Sequence, residues 1–192
     1  MDDSKSFLRH EVLNIITQLH FLIDDIDESF LEKKPLIKRL ELLAFLGLEE
    51  QAILTGKKEF YKEKIDLHEL LMIISDMLES DMEASQVILN IQGAPMTVEI
   101  DFECTKNSLN TLLKHLINQA SEITVSLKPN TQQLTIEHNG DDLSLDLEQD
   151  FLELMKKGKE SDQFLLQARL KLLKMSGTDI QIEKGKIHLK FQ

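Results

Sequence analysis

The chain has 192 residues, and its 34 Asp and Glu against 22 Lys and Arg give a formal net charge of −12, which opposes non-specific binding to nucleic-acid phosphates. Hydrophobic residues make up 42% and charged residues 29%, the balance of a globular protein. There is no apolar run of roughly 18 residues as in a membrane span, the acidic start (MDDSKS) argues against a secretory signal, and the single cysteine, Cys104, excludes an intrachain disulfide. We therefore expect a cytoplasmic protein whose partners are proteins, with no membrane or nucleic-acid partner.

Residues from about 3 to 30 predict a long helix. Its apolar side chains recur at steps of three and four residues, the spacing of a heptad seam. The seam consists of Leu8, Val12, Ile15, Leu19, Leu22 and Ile26. Pro35 stands where a second helix would begin, and Gly56 is a typical helix end. The short connection between the two helices predicts an antiparallel hairpin.

A single hairpin cannot bury two broad apolar faces. Two copies paired into a four-helix bundle bury both, which predicts a homodimer. The alternative is that the hairpin packs on the rest of its own chain. We take residues 1–58 as this helical dimerisation domain and residues 59–192 as a second domain.

The second domain predicts a mixed sheet with helices on one face, an α+β architecture. Residues 56–64 are charged and are interpreted as a linker. Apolar periodicity predicts helices over residues 66–80, 105–120, 147–157 and 164–175. Alternating patterns predict strands over residues 86–92, 97–102, 123–127, 133–137, 178–183 and 186–191. Hairpin turns are expected around Pro129–Asn130 and Lys184–Gly185.

His10 is the most informative residue of the first predicted helix. At about 100° per residue the apolar face centres near Val12, and His10 lies about 160° away, on the solvent side. Asn14, Thr17 and Phe21 share that outer face. An exposed histidine is commonly an ordinary surface residue, but an exposed aromatic side chain beside it can mark a docking surface.

Residues 7–17, FLRHEVLNIIT, resemble the phosphoacceptor box of two-component sensor histidine kinases. The resemblance implies that His10 is the phosphorylated histidine and that Glu11 is the acidic residue beside it. It also implies that Asn14 matches the residue used to dephosphorylate response regulators. Ile15 departs from the family pattern, which usually has a helix-bending proline there.

The partner that this resemblance implies is a response-regulator receiver domain. A neutral imidazole attacks phosphorus, and the carboxylate of Glu11 holds the other ring N–H and offsets the developing charge. The Mg²⁺ would come from the receiver, so the chain needs no cofactor of its own. The expected partner-binding residues around His10 are Arg9, Thr17, Gln18 and Phe21.

Residues 65–71, IDLHELL, are similar to the segment that enters the ATPase-like domain of these kinases, but the nucleotide elements that follow are altered. Gln119 stands where the family has its Mg²⁺-coordinating asparagine. Gly140 keeps the first glycine of the family's Asp-x-Gly-x-Gly motif, but His138 replaces the adenine-binding aspartate and Asp142 replaces the second glycine. The glycine-rich stretch before the last helix is missing. No metal site is expected, because the histidines lack metal-ligand spacing.

These departures predict a degenerate ATPase-like domain that does not bind ATP. The leading hypothesis is a histidine phosphotransfer protein, which passes a phosphoryl group through His10 between receiver aspartates. A pseudokinase that docks a receiver or a sensor histidine kinase as a regulator is an alternative. Two others are a response-regulator phosphatase acting through Asn14 and an active ATP-dependent kinase with divergent motifs.

Overall fold

The computed structural model of the protein describes residues 59–143, 145–147 and 161–191. From residue 59 to 147 and from 166 to 191 the described chain belongs to one compact unit. The predicted hairpin, four-helix bundle and dimer interface lie outside the described residues, as does the helix predicted over 147–157 beyond its first residue. The division into domains at residue 58 therefore stays a prediction.

Seven strands and three helices make up the described residues. The strands are β1 Glu63–Asp66, β2 Ile88–Gly93, β3 Thr97–Ile100, β4 Glu122–Lys128, β5 Gln133–His138, β6 Asp179–Glu183 and β7 Lys186–Lys190. The helices are α1 Leu67–Ser85, α2 Phe102–Ile117 and α3 Ser161–Met175. A 3₁₀ turn, Pro129–Thr131, connects β4 to β5.

The main sheet has five strands in the order β2-β4-β5-β7-β6. β2 runs parallel to β4, whereas the β4–β5, β5–β7 and β6–β7 pairs are antiparallel. β1 and β3 form a separate antiparallel pair. The predicted α+β class, the mixed sheet and both predicted hairpin turns are thus confirmed.

Alternation along the strands places the core on one face of the sheet. In β4 the side chains of Ile123, Val125 and Leu127 are buried, while Thr124 and Ser126 between them are partly exposed. β5 and β7 add Leu134, Ile136, Ile187 and Leu189, and the buried leucines and isoleucines of all three helices join them in one apolar cluster. Burial of this cluster supplies the main driving force for folding of the unit.

Two boundary predictions are corrected by the structure. Glu63 and Lys64, assigned to a linker, pair with Ile100 and Glu99 in the β1–β3 ladder. Their side chains are exposed, so the strand shows no apolar alternation in the sequence. The Asp101 carboxylate accepts a hydrogen bond from the Cys104 N–H (2.9 Å), so α2 begins at Phe102 rather than at 105.

Candidate functional site

Two of the segments predicted to be altered nucleotide motifs meet where α2 and β5 end, and we name residues 118–122 and 138–142 together the α2–β5 edge. α2 closes with two backbone hydrogen bonds to the carbonyl of Leu116, from the N–H of Gln119 (3.0 Å) and of Ala120 (2.8 Å). Gln119 is exposed on this last turn. β4 begins directly afterwards at Glu122, so the end of α2 is fixed to the central strands of the sheet.

Asn139 joins the two segments of the α2–β5 edge. Its Oδ1 accepts hydrogen bonds from the backbone N–H groups of Ser121 (3.0 Å) and Glu122 (3.2 Å). Its Nδ2 donates to the Ser121 hydroxyl (2.9 Å). The sequence reasoning assigned Asn139 no role, although an asparagine followed by glycine directly after a strand is a typical signal for such local bonding.

Gly140 lies close against the backbone of Gln119 in the α2–β5 edge. A Cβ built on Gly140 would lie 2.6 Å from the carbonyl oxygen of Gln119 and 2.8 Å from its carbonyl carbon. Backbone atoms cannot yield as a flexible side chain can, so only glycine fits at this position. Two residues that the sequence placed in the altered nucleotide site are therefore in direct contact through their backbones.

His138 closes the end of β5. Its backbone N–H donates a hydrogen bond to the backbone carbonyl of Gly185 (3.0 Å), in the turn between β6 and β7. Burial lowers the pKa of His138 from its ordinary value of 6.5, and the negative charge of Asp142 raises it by a smaller amount. A lowered pKa favours the neutral form of the ring, and its buried Nδ1 has no hydrogen-bond partner within the described part of the chain.

The α2–β5 edge thus brings together all four residues predicted for the altered nucleotide site. The backbone of Gln119 contacts Gly140, and the negative charge of Asp142 acts on the pKa of His138. A neutral imidazole offers one acceptor nitrogen, whereas the aspartate it replaces in the kinase pattern would offer a charged, two-oxygen acceptor. Asp141 and Asp142 are both exposed beside it. The edge is therefore acidic and has a histidine, not a carboxylate, at position 138.

The residues predicted to carry phosphate or to bind the partner lie outside the described residues. They are Arg9, His10, Glu11, Asn14, Thr17, Gln18 and Phe21. Neither their geometry nor their relation to the α2–β5 edge is described, and their roles stay predictions.

Two absences hold for residues 59–143, 145–147 and 161–191, the part of the chain that the structure describes. No group of three or more His, Cys, Asp or Glu side chains there is placed to hold a metal ion. No helix within those ranges is long and apolar enough to cross a membrane.

Among the other histidines, Nδ1 of His188 lies 3.1 Å from both Gln133 Nε2 and Thr135 Oγ1, a bonding pattern within the sheet.

No family model matches the chain, and no curated protein matches it. Solved structures do match. Histidine kinase AdeS of Acinetobacter baumannii has a TM-score of 0.57 at 16% identity, over 96% of this chain and 94% of that chain. The cytoplasmic segment of histidine kinase QseC has a TM-score of 0.55 at 10% identity, over 87% and 97%. Mycobacterial sensor histidine kinase MprB has a TM-score of 0.52 at 15% identity, over 68% and 97%.

At these identities the likeness concerns the fold. The chain has a histidine-kinase-like fold, and the described residues resemble the kinase ATPase domain, as in the catalytic domain of histidine kinase ThkA, which matches with a TM-score of 0.51 at 13% identity. The resemblance expected from the sequence is confirmed at that level.

Proposed function

We propose that the protein is a histidine phosphotransfer protein of a two-component phosphorelay, acting through His10 on a kinase-like fold that does not bind ATP. The observation that carries this proposal is the α2–β5 edge. The fold is that of a kinase, but the edge presents Gln119, His138 and the carboxylate of Asp142 where the kinase pattern has its nucleotide ligands.

Electrostatics at the α2–β5 edge support the absence of ATP binding. Asp141 and Asp142 are exposed there and would repel a triphosphate, most strongly where protein lowers the effective dielectric constant. α3 begins at Ser161, and no glycine stands between Gly158 and this helix to let the backbone cradle a phosphate. Glu160, Ser161, Asp162 and Gln163 stand there in the sequence where the kinase pattern has glycines.

The phosphotransfer step follows from the chemistry of the predicted residues. A ring nitrogen of neutral His10 attacks the phosphorus of a receiver aspartyl phosphate, the N–P bond forms and the P–O bond to aspartate breaks. The leaving carboxylate stays on the first receiver with its Mg²⁺. The Glu11 carboxylate holds the other ring N–H, and a second receiver aspartate then accepts the phosphoryl group by the reverse exchange.

The test is incubation of the whole chain with a phosphorylated receiver domain, followed by detection of acid-labile phosphate on this chain. His10→Ala should abolish labelling, whereas Glu11→Ala should slow it. Calorimetry with a non-hydrolysable ATP analogue and Mg²⁺ should show no binding up to about millimolar concentration. Micromolar nucleotide binding or autophosphorylation with ATP would contradict the proposal and favour an active kinase.

A regulator that docks a receiver or a kinase without carrying phosphate remains the second candidate, because the same altered edge fits it. A response-regulator phosphatase acting through Asn14 is a variant of this candidate. The His10→Ala protein separates them. If it still binds the receiver and still supports the cellular response, the phosphotransfer proposal fails and the docking role replaces it.

A further inference from the structure

Helix α1 carries three exposed apolar side chains away from its buried face. Its buried residues are Leu67, Leu70, Leu71, Ile74 and Leu78. On the other side Met72, Ile73 and Met77 are 46%, 45% and 55% exposed. At about 100° per residue these three fall within an arc of about 140° that has Asp76 at its middle. Clustered apolar side chains on a surface mark interaction sites, whereas single ones do not.

The same helix is strongly acidic. The sequence of α1 contains five Asp or Glu residues and no Lys or Arg. Asp81 pairs with Lys114 of α2 (2.8 Å), but in the described part of the chain no ion pair involves Asp76 or Glu79. The last turn of α1 has no basic residue, and Glu83 stands there, so this carboxylate opposes the helix dipole. The carboxylates of Asp76 and Glu79 would attract a cation bound beside the helix.

We name Glu69, Met72, Ile73, Asp76, Met77 and Glu79 the α1 surface, and we propose that it docks a basic amphipathic helix of a partner protein. Ile73 and Met77 are four residues apart and therefore neighbour each other along the helix axis, as helix-against-helix packing requires, whereas Met72 lies about 100° around the helix from Ile73. Two of its three apolar side chains are methionines, which adapt to differently shaped partners. The carboxylates of Glu69 and Asp76 lie beside the Ile73–Met77 pair around the helix, where they complement lysines or arginines that flank the apolar face of the partner.

Charge decides between the possible occupants. A second copy of this chain would bring the unpaired Asp76 and Glu79 against their own equivalents, and like charges across an interface are unfavourable. An anionic membrane would be repelled in the same way. A cationic amphipathic helix is the occupant that complements both the exposed apolar side chains and the carboxylates beside them. None of its residues is among the receiver-docking residues expected around His10, so the inference does not depend on the proposed function.

The test uses the full chain and a fluorescein-labelled 18-residue helical peptide of leucine and lysine, with leucines along one face. Fluorescence anisotropy measures its dissociation constant. Ile73→Gln/Met77→Gln should weaken binding by about tenfold or more, because truncating central apolar anchors commonly costs that much. Asp76→Asn/Glu79→Gln should weaken it by about fivefold and reduce its salt dependence. These side chains are exposed, and glutamine and asparagine are tolerated on a helix surface, so each variant should unfold at the wild-type urea midpoint.

Controls are needed because a net charge of −12 attracts any cationic peptide. Ile88→Gln removes a similarly exposed isoleucine on β2, and Asp179→Asn/Glu183→Gln removes two exposed carboxylates on β6. Both should change the dissociation constant by less than about twofold. A peptide of the same composition with dispersed leucines should bind at least about tenfold more weakly.

Three outcomes would overturn the inference. One is no binding of the amphipathic peptide at about 100 μM. Another is an equal loss in the control variants, which would indicate general charge attraction. The third is a lower sedimentation-equilibrium mass for the Ile73→Gln/Met77→Gln variant than for the wild-type chain, which would make a second copy the occupant. The same double variant should leave labelling from a phosphorylated receiver unchanged, so failure here and failure of phosphotransfer are distinguishable.

Discussion

The apolar core between helices and sheet and the α2–β5 edge depend on the sequence in different ways. In the core the requirement is an apolar side chain of suitable size at each position, and Leu112, Leu134 and Ile187 meet it with 0% exposure. At the α2–β5 edge the requirement falls on single atoms: the missing Cβ of Gly140 and the amide group of Asn139. A fold can therefore persist while the chemistry of its edge changes, because few core contacts depend on the edge.

The largest effect should come from the core. Leu112→Ala removes a fully buried side chain of α2 and leaves a cavity, so we expect a loss of about 2–5 kcal/mol in the free energy of unfolding. Urea unfolding followed by circular dichroism measures it. Met72→Ala, an exposed apolar residue on α1, is the control and should stay within about 0.5 kcal/mol of wild type. Equal effects of the two substitutions would contradict the assigned core.

A smaller but still clear effect is expected at Gly140. Gly140→Ala places a methyl group 2.6 Å from the Gln119 carbonyl oxygen, so the loop must shift away from the end of α2. Overpacking of this kind costs about 1–3 kcal/mol, measurable by urea unfolding. The matched control is Asp141→Ala, at the neighbouring exposed position. If both variants unfold at the same urea concentration, the close approach does not constrain the edge.

Asn139 should have a more local effect. Asn139→Ala removes the acceptor of the Ser121 and Glu122 N–H groups and should destabilise the protein by about 1 kcal/mol. Faster amide exchange at these two residues is the more specific readout. Asn139→Asp keeps the acceptor oxygen but loses the donor to the Ser121 hydroxyl, and it should lie between wild type and Asn139→Ala. Unchanged exchange in Asn139→Ala would show that the bridge does not hold the segments together.

The core and most secondary structure were predictable because they follow from apolar periodicity, which is local. Helix α2 was predicted from its leucines, although its start was placed too late because the capping role of Asp101 was missed. The strand containing Glu63 and Lys64 was missed because its partner, β3, lies far along the chain and neither side chain is buried. Periodicity carries no information about such exposed, non-local pairing.

The α2–β5 edge was predictable only in part. The resemblance to kinases named Gln119, His138, Gly140 and Asp142 together, but their contacts were not derivable from the sequence. The need for glycine at residue 140 arises from the backbone of Gln119, which is distant in the sequence and close only in the fold. The lowered pKa of His138 arises from its partial burial, which the sequence alone does not reveal.

The smallest expected effect is on the pH dependence of the free energy of unfolding, and it tests whether burial lowers the pKa of His138. Burial lowers the pKa of His138 in the folded state below 6.5, so between that lowered pKa and 6.5 the unfolded chain binds more protons than the folded one. This contribution to stability is complete above pH 6.5 and is lost as the pH falls to the lowered pKa. His138→Gln should therefore give a flatter pH dependence of the free energy of unfolding in this window. Asp142→Asn removes the charge that raises the pKa of His138, so in that variant the loss should extend to lower pH. Urea unfolding at several pH values measures the pH dependence of both variants, and NMR titration of the His138 ring measures its pKa. A His138 pKa at or above 6.5 would contradict the lowering by burial.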